Sequence, residues 1–335
     1  PNIALSRRAG MLSASPAGGR VARAVLPGVM MRRSRRFMCT AAAAFEQLMD
    51  RGLGVGARLD AEARAIVSCL AVRGWCAVDG LLSAPTSAEV REQLARCYDA
   101  GDYQPSYSRV VETGEKLWRP DVHMMELDGE SWRAAPHCVL LVHELMGALP
   151  AVVNEGFSSE LELQGHAPPR LSSRIFGHKL AVSTAAGARY PKHLDNVAGG
   201  EDTRKLTAVY YPNAGWDVAR QGGAIRLFDA LEEPTHVDVA PVGRDGASDR
   251  LLLFWSDLLV HEVLPMAVGR GRADEHGQEQ VGGSSAPTPE GRLEGHRHHR
   301  HTVTVWLTTE NDACLCDARS PLWPLRVAHY PDKEE

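Results

Sequence analysis

The segment RLLLFWSDLLVHEVLP, residues 250–265, decides the fold class of this chain. Residues 251–255 are a short apolar run, which is typical of a strand buried on both faces. Ser256 and Asp257 follow as turn residues, and His-Glu-Val then opens another short strand. A buried strand, a turn and a new strand within sixteen letters indicate a β architecture made of short strands.

The same pattern extends in both directions, from Lys179 to residue 310. Turn residues (Gly, Pro, Asn and Asp) separate five more short runs: KLAVSTA, RKLTAVYYPN, GGAIRLFDA, HVDVAPV and RHTVTVWLTT. Short strands at this spacing predict a mainly β fold, either a sandwich or a jelly roll. Amphipathic segments earlier in the chain predict supporting helices.

The predicted organisation follows from these changes of pattern. It comprises a basic N-terminal tail or transit segment over 1–45, a helical support region over 46–178 with a mobile substrate loop at 104–122, a β core over 179–310, and a C-terminal tail over 311–335. Residues 268–299 are rich in Gly, Ser, Pro and His, and we predict a disordered low-complexity insertion there.

Charge and cysteine content limit the classes of partner and the compartment. The net charge of −5 gives no indication of nucleic-acid binding, and no apolar run is long enough to predict a membrane span. The seven cysteines are scattered, which favours a reducing compartment, cytoplasmic or nuclear. Residues 1–45 contain eight Arg and no acidic residue, so an organelle transit peptide is the alternative to a disordered basic tail.

Two His-x-Asp pairs compete as candidate metal sites. Side chains two apart on a strand share a face, so either pair could present an imidazole beside a carboxylate. His236 and Asp238 lie in ordinary half-buried alternation, which predicts the outer surface. His193 and Asp195 precede the loop NVAGGEDTR, where a strand end can open to substrate.

The pair formed by His193 and Asp195 needs a third ligand to hold a metal ion. One nitrogen and one carboxylate oxygen suit Fe(II), and another histidine would complete a facial triad with open positions. His261 lies after the Ser256-Asp257 turn, where it would face inward. Alone, His261 would be interpreted as a core histidine. With the pair, we predict that His193, Asp195 and His261 are catalytic metal ligands.

The chain closely resembles the animal oxygen-sensing prolyl hydroxylases of the egg-laying-nine type, which act on hypoxia-inducible factor. These are Fe(II)- and 2-oxoglutarate-dependent dioxygenases. The runs YPKHLDN, TAVYYPNAGWD, QGGAIRLF, DRLLLFWSDLLVHEVLP and TVTVWL carry the resemblance, which covers residues 61–309. It implies a double-stranded β-helix (jelly-roll, cupin-like) core that holds iron through His193, Asp195 and His261.

The resemblance also implies the reaction and its cofactors. The expected reaction uses O2 and 2-oxoglutarate to hydroxylate a prolyl residue of a protein substrate, with succinate and CO2 as co-products and ascorbate to maintain the iron. Two arginines compete for the distal carboxylate of 2-oxoglutarate. Arg270 has the family's spacing from His261, whereas Arg300 begins the strand RHTVTVWL. We favour Arg300, because a rigid strand positions a guanidinium better than the edge of an insertion.

Further site residues are expected by resemblance. Tyr211 matches a tyrosine that hydrogen-bonds the same carboxylate, and Thr304 and Trp306 match residues that line the pocket. Asp121 and Arg204 match an Asp and an Arg that pair at the substrate entrance, although a surface salt bridge explains them equally well. Ser183 is a departure, because the family has a tyrosine there.

Three alternatives stay open. The chain could be a non-catalytic metal-binding or interaction protein, in which the tract GHRHHRH (His296, His298, His299 and His301) sequesters metal. A solvated loop is the preferred interpretation of that tract. The chain could also be an oxygenase with a non-prolyl substrate, or a jelly-roll scaffold that has lost catalysis.

Overall fold

A computed structural model describes residues 42–109, 116–160, 169–197, 202–267, 292, 295–311, 314–315 and 318–330. The helices are α1 (Val55–Arg73), α2 (Ala84–Asp99), α3 (Pro136–Glu160), α4 (Val218–Gln221) and α5 (Trp323–His329), with a 3-10 turn at Ser131–Arg133. Residues 42–51 are helical as well.

Within these described residues, eleven strands build two antiparallel sheets, as expected for a jelly roll. They are β1 (Trp75–Asp79), β2 (Gln104–Arg109), β3 (Lys116–Met125), β4 (Leu171–Ser183), β5 (Tyr190–His193), β6 (Arg204–Tyr211), β7 (Ile225–Leu227), β8 (Val237–Val239), β9 (Arg250–Trp255), β10 (His261–Val263) and β11 (Arg300–Thr309). The larger sheet has the order β1-β9-β6-β11-β4-β3-β2, and the smaller β5-β10-β7-β8. The mainly β jelly-roll prediction is confirmed.

The apolar run that decided the fold is a central strand. All six residues of β9 are buried between β1 and β6. Its side chains alternate between two cores, because Leu252 and Phe254 pack towards the smaller sheet while Leu251 and Leu253 pack towards the helices. Burial on both faces explains why this strand shows no polar alternation.

Helices α1, α2 and α3 cover the outer face of the larger sheet. The core on this side joins residues such as Leu59, Leu94 and Leu145 to the sheet. Within the described part of the chain, α3 is the one helix long and apolar enough to cross a membrane by length and composition. Half of the apolar stretch of this helix is buried inside the protein, and the core helices of soluble proteins meet the same criterion of length and composition.

Strand β11 fixes the positions of several site residues. It pairs with β4 in an unbroken register from Arg300 opposite Ser183 to Trp306 opposite Gly177. Its even-numbered residues face the space between the sheets, and its odd-numbered residues face the helices. The irregularity in this register begins only after Trp306.

Strands occupy part of the predicted loop and of the predicted helical support region. The substrate loop at 104–122 contains strands β2 and β3, which complete the larger sheet by pairing with β4. Strands β2 and β3 and the start of β4 lie in the region predicted as a helical support. Short polar strands lack apolar periodicity, so the pattern of the sequence does not reveal them.

The two predicted tails also contain structure. Residues 42–45 belong to a helix, and the C-terminal segment contains α5, whose Arg326 is buried. Of the insertion predicted over 268–299, residues 268–291, 293 and 294 lie outside the described residues. The solvated-loop interpretation of the histidine tract is wrong for three of its members, because His296 and His301 are buried and His299 is half-buried.

Candidate metal and cofactor site

Neighbouring strands bring the two predicted histidine ligands together. His193 is the last residue of β5 and His261 the first of β10, and the two are cross-strand partners. Their ring centroids are 4.2 Å apart. Asp195 follows β5 in a short loop, where the amide of Asn196 donates a hydrogen bond of 2.9 Å to the carbonyl of Ser256. The turn after β9 therefore anchors the loop that carries the carboxylate.

One ligand atom from each of His193, Asp195 and His261 lies within 4.8 Å of the others. Oδ1 of Asp195 is 3.6 Å from Nε2 of His193 and 3.9 Å from Nε2 of His261. Two imidazole nitrogens and one carboxylate oxygen on one side of an ion are the donor set of a facial triad. The arrangement could hold a divalent metal ion and leave positions open for other molecules.

Backbone carbonyl groups fix both imidazoles in the orientation that a metal requires. Nδ1 of His193 lies 2.7 Å from the carbonyl oxygen of Pro191, and Nδ1 of His261 lies 3.1 Å from that of Leu259. A carbonyl only accepts, so each Nδ1 carries the proton and each Nε2 presents its lone pair to the site.

Two side chains orient the carboxylate of Asp195. The Thr207 hydroxyl donates to Oδ2 at 2.7 Å, and the Trp306 indole donates to the same oxygen at 3.0 Å. Both donors act on Oδ2, so Oδ1 is directed at the histidines. Thr207, which also contacts the Ser256 hydroxyl at 2.8 Å, was missed in the sequence. It looks like an ordinary strand residue, and only the register of β6 reveals its role.

The protonation states suit metal binding. Burial alone would raise the pKa of Asp195, but the neighbouring imidazoles of His193 and His261, with the hydrogen bond from the Thr207 hydroxyl, hold that pKa well below its usual range. Burial, together with His193, lowers the pKa of His261 to about 4. At pH 7 the carboxyl is therefore ionised and the imidazole of His261 neutral, which are the forms that bind metals.

A buried guanidinium lies in the same cavity. Arg300 is 4% exposed, and its Nη2 donates to the Tyr211 hydroxyl at 3.4 Å. Its Nε has no hydrogen-bond partner among the residues that the structure describes. A buried donor without a partner is costly, and a carboxylate would satisfy it in a two-point contact. This orphaned donor fits the distal carboxylate of 2-oxoglutarate.

The cavity between the sheets contains most of the residues expected by resemblance. Its lining includes the three candidate metal ligands, Arg300, Tyr211, Thr304, Trp306, Ser183 and Lys179. Lys179, which was not singled out in the sequence, adds a cation 5.3 Å from the ring of Trp306. Ser183 lies directly opposite Arg300 in the β4–β11 register, so the small hydroxyl leaves room beside the guanidinium.

The structure gives the predicted entrance residues different surroundings. Arg204 forms an ion pair with Asp202, with Nε 2.9 Å from Oδ1, whereas Asp121 is exposed on β3. No ion pair between Asp121 and Arg204 is present in the described part of the protein. The guanidinium of Arg204 lies over the ring of Trp306 at 5.7 Å, which places it beside the cavity.

The structure describes the other His-x-Asp pair, His236 and Asp238, but not the other candidate arginine, Arg270. Asp238 is exposed and accepts from Nε of Arg226 at 2.7 Å, so the second His-x-Asp pair lies on the outer face of the smaller sheet as predicted. Arg270 lies outside the described residues, so the structure does not compare it with Arg300.

Known proteins resemble this chain in sequence. Hypoxia-inducible factor prolyl hydroxylase of Caenorhabditis elegans is 28% identical over 66% of this chain and 30% of its own length. Egl nine homolog 1 of Rattus norvegicus is 30% identical over 60% of this chain and 54% of its own length. The chain thus spans about half or less of these two curated relatives.

One solved structure extends the comparison. A prolyl hydroxylase from Trichoplax adhaerens, in complex with a hypoxia inducible factor oxygen degradation domain peptide fragment, has a TM-score of 0.49 and 21% identity. That similarity covers 76% of this chain and 93% of the other.

A family model matches the part of the chain that contains the cavity residues His193, Asp195 and His261. Residues 179–275 match the 2OG-Fe(II) oxygenase superfamily, which uses Fe(II) and 2-oxoglutarate. The matched range includes His193, Asp195 and His261, the three side chains that converge in the cavity. By this match, residues 179–275 of this chain are similar to the 2OG-Fe(II) oxygenase superfamily.

Proposed function

We propose that this protein is an Fe(II)- and 2-oxoglutarate-dependent dioxygenase that hydroxylates a prolyl residue of a protein substrate. O2 is the co-substrate, succinate and CO2 are the co-products, and ascorbate maintains the iron. The observation that carries the proposal is the convergence of His193, Asp195 and His261 in the cavity that also contains the buried Arg300. The curated relatives named as prolyl hydroxylases support the choice of substrate.

Each residue of the cavity has a role in this proposal. His193, Asp195 and His261 hold the iron on one side, and Thr207 and Trp306 keep Oδ1 of Asp195 directed at it. Arg300 and Tyr211 anchor the distal carboxylate of 2-oxoglutarate. When bound, iron and 2-oxoglutarate supply the oxidising chemistry for a C–H bond, while the protein fixes geometry and excludes water.

The direct test uses anaerobic protein reconstituted with Fe(II), 2-oxoglutarate and ascorbate, and a library of proline-containing peptides. On admission of O2, we expect succinate to form and a prolyl residue to gain the mass of one oxygen atom. Mass spectrometry detects the modified residue, and omission of 2-oxoglutarate is the control. Hydroxylation confined to residues other than proline would favour the oxygenase with a different substrate. Absence of both succinate and any Fe(II)-dependent absorption change would favour the alternative that this chain is a non-catalytic metal-binding or interaction protein.

The edge of the larger sheet is the proposed contact for the peptide. Strand β2 is the outermost strand of the larger sheet among the described residues, and β3 beside it pairs with β4 through Val122 opposite Ser183, a cavity residue. An exposed strand edge can accept an extended peptide through main-chain hydrogen bonds. Trp118 on β3 is 58% exposed and lies against Tyr107 of β2, with ring centroids 5.2 Å apart.

Trp118→Ala tests this contact. We expect KM for the peptide to rise roughly tenfold or more, because an exposed aromatic side chain that becomes buried on binding often dominates an interface. Succinate formation without peptide should not change, since Trp118 does not line the cavity. Leu231→Ala, at an apolar residue that is 56% exposed, is the matched control. Equal KM values for the two variants would remove the β2–β3 edge from the peptide site.

The proposal includes a reducing compartment, either the cytoplasm or the nucleus, with an organelle as the alternative. Its support is that all five cysteines in the described part of the chain are free thiols, of which four are buried. An oxygen-sensing role forms part of the proposal, because O2 is a co-substrate.

A further inference from the structure

A second group of histidines lies outside the candidate iron site. It consists of His296 and His299, in the turn before β11, and His301, the second residue of β11. We call these three residues the histidine cluster. One ring nitrogen of each lies within 4.8 Å of the others. His301 is absent from the cavity lining that contains Arg300, as expected for its neighbour on a strand.

The carboxylate of Asp99, at the end of α2, orients the cluster. Its Oδ1 lies 2.9 Å from Nε2 of His296 and so accepts a hydrogen bond from that nitrogen. Nδ1 of His296 is thereby left with its lone pair, which accepts a hydrogen bond of 2.7 Å from Nδ1 of His299; the same lone pair is available to a metal ion. A carboxylate that holds one nitrogen of an imidazole while the other is directed at a common point is the usual support of a metal-binding histidine.

His301 supplies an independent indication that a ligand belongs here. Its side chain is completely buried, and neither ring nitrogen has a hydrogen-bond partner among the described residues. Its main chain is held firmly, because the amide donates to Oδ1 of Asn213 at 3.0 Å and the carbonyl accepts from Nδ2 at 2.9 Å. A buried imidazole without partners is unfavourable, and coordination of a metal would satisfy one of its nitrogens.

Aromatic packing and burial surround the cluster. The ring of Tyr98 packs against His296 and His299, at centroid distances of 5.8 and 5.5 Å. Burial lowers the pKa of His299 to about 4, and it lowers the pKa of His301 as well. Neutral imidazole is the form that coordinates metals.

We propose that His296, His299 and His301 bind a divalent transition metal of the Zn(II) class, at a site separate from His193, Asp195 and His261. Three imidazoles without a coordinating carboxylate suit Zn(II) better than Mg(II) or Ca(II), which prefer oxygen ligands. An ion at this site would tie the turn before β11 to the strand itself, directly beside Arg300.

The test requires the iron site to be disabled. In the full chain carrying His193→Ala and Asp195→Ala, stripped with a chelator and dialysed, we expect one equivalent of Zn(II) to bind. Co(II) should give the visible absorption of a tetrahedral site. Zinc should also raise the Tm of this chain. The assay does not require turnover, so its outcome is independent of the proposed hydroxylase activity.

Three further substitutions in this background identify the ligands. His299→Ala and His301→Phe should each remove the equivalent, whereas His298→Ala should retain it. His298 belongs to the same tract but is exposed, so it controls for adventitious binding to a histidine-rich surface. Circular dichroism shows whether each variant is folded. If His301→Phe is unfolded, His299→Ala remains as the test, since His299 is only half-buried and its replacement should disturb the fold less. No bound equivalent in the parent chain, or an equivalent that survives His299→Ala, would overturn the proposal.

Discussion

Replacing Asp195 with alanine is expected to weaken Fe(II) binding at least about 100-fold and to abolish hydroxylation. Asp195 provides the only carboxylate among the three converging side chains, and its Oδ1 faces both imidazoles. Loss of a residue that merely orients a ligand typically costs roughly 10- to 100-fold in metal affinity, so loss of the ligand itself should cost more. Anaerobic Fe(II) titration in the presence of 2-oxoglutarate, followed by visible absorption, measures the change.

The chain contains a matched control for this substitution. Asp238 has the same spacing from His236 as Asp195 has from His193, but it lies on the outer face in an ion pair with Arg226. Asp238→Ala should therefore leave Fe(II) binding and turnover close to those of the parent protein. Wild-type iron affinity in Asp195→Ala would exclude the triad as the iron site, and the oxidative function proposed for it would fall with it.

Replacing Arg300 with alanine is expected to raise KM for 2-oxoglutarate at least about 100-fold. Hydrogen bonds to a charged partner contribute roughly 1.5–3 kcal/mol each, and a two-point contact would lose two of them. In a cavity where the guanidinium is 4% exposed, water cannot replace the lost contacts efficiently. Succinate formation as a function of 2-oxoglutarate concentration gives KM, and Fe(II) affinity without 2-oxoglutarate should be unchanged.

Two other variants resolve the competition between the arginines. Arg300→Lys should rescue only part of the affinity, because an ammonium group keeps the charge but loses the planar two-point contact. Arg270→Ala should have little effect on KM. If Arg300→Ala saturates normally while Arg270→Ala does not, the anchor of the distal carboxylate moves to Arg270.

The sequence was most informative where short patterns have a direct structural meaning. Five apolar residues followed by Ser256 and Asp257 identify a buried strand and its turn, and β9 has this form. The spacing of His193 and Asp195, followed by a loop, placed the pair at the end of β5. These features depend on local periodicity, which the sequence displays directly.

The sequence was less informative where a role depends on pairing between distant strands. Thr207 and Trp306 both hold Oδ2 of Asp195, yet they lie on β6 and β11, whose register no local pattern reports. The β2–β3 hairpin was missed because β4 provides its pairing partner. The histidine cluster resembled low-complexity sequence, since its environment depends on Asp99, 197 residues earlier in the chain than His296.

The continuous register of β11 has a consequence for how this protein can change during evolution. Arg300 and His301 are neighbours that point into opposite layers of the fold. A slip of one residue would turn the guanidinium towards the helices and an imidazole towards the cavity. Insertions and deletions before β11 are therefore tolerated only when Arg300 still pairs with Ser183 and faces the cavity.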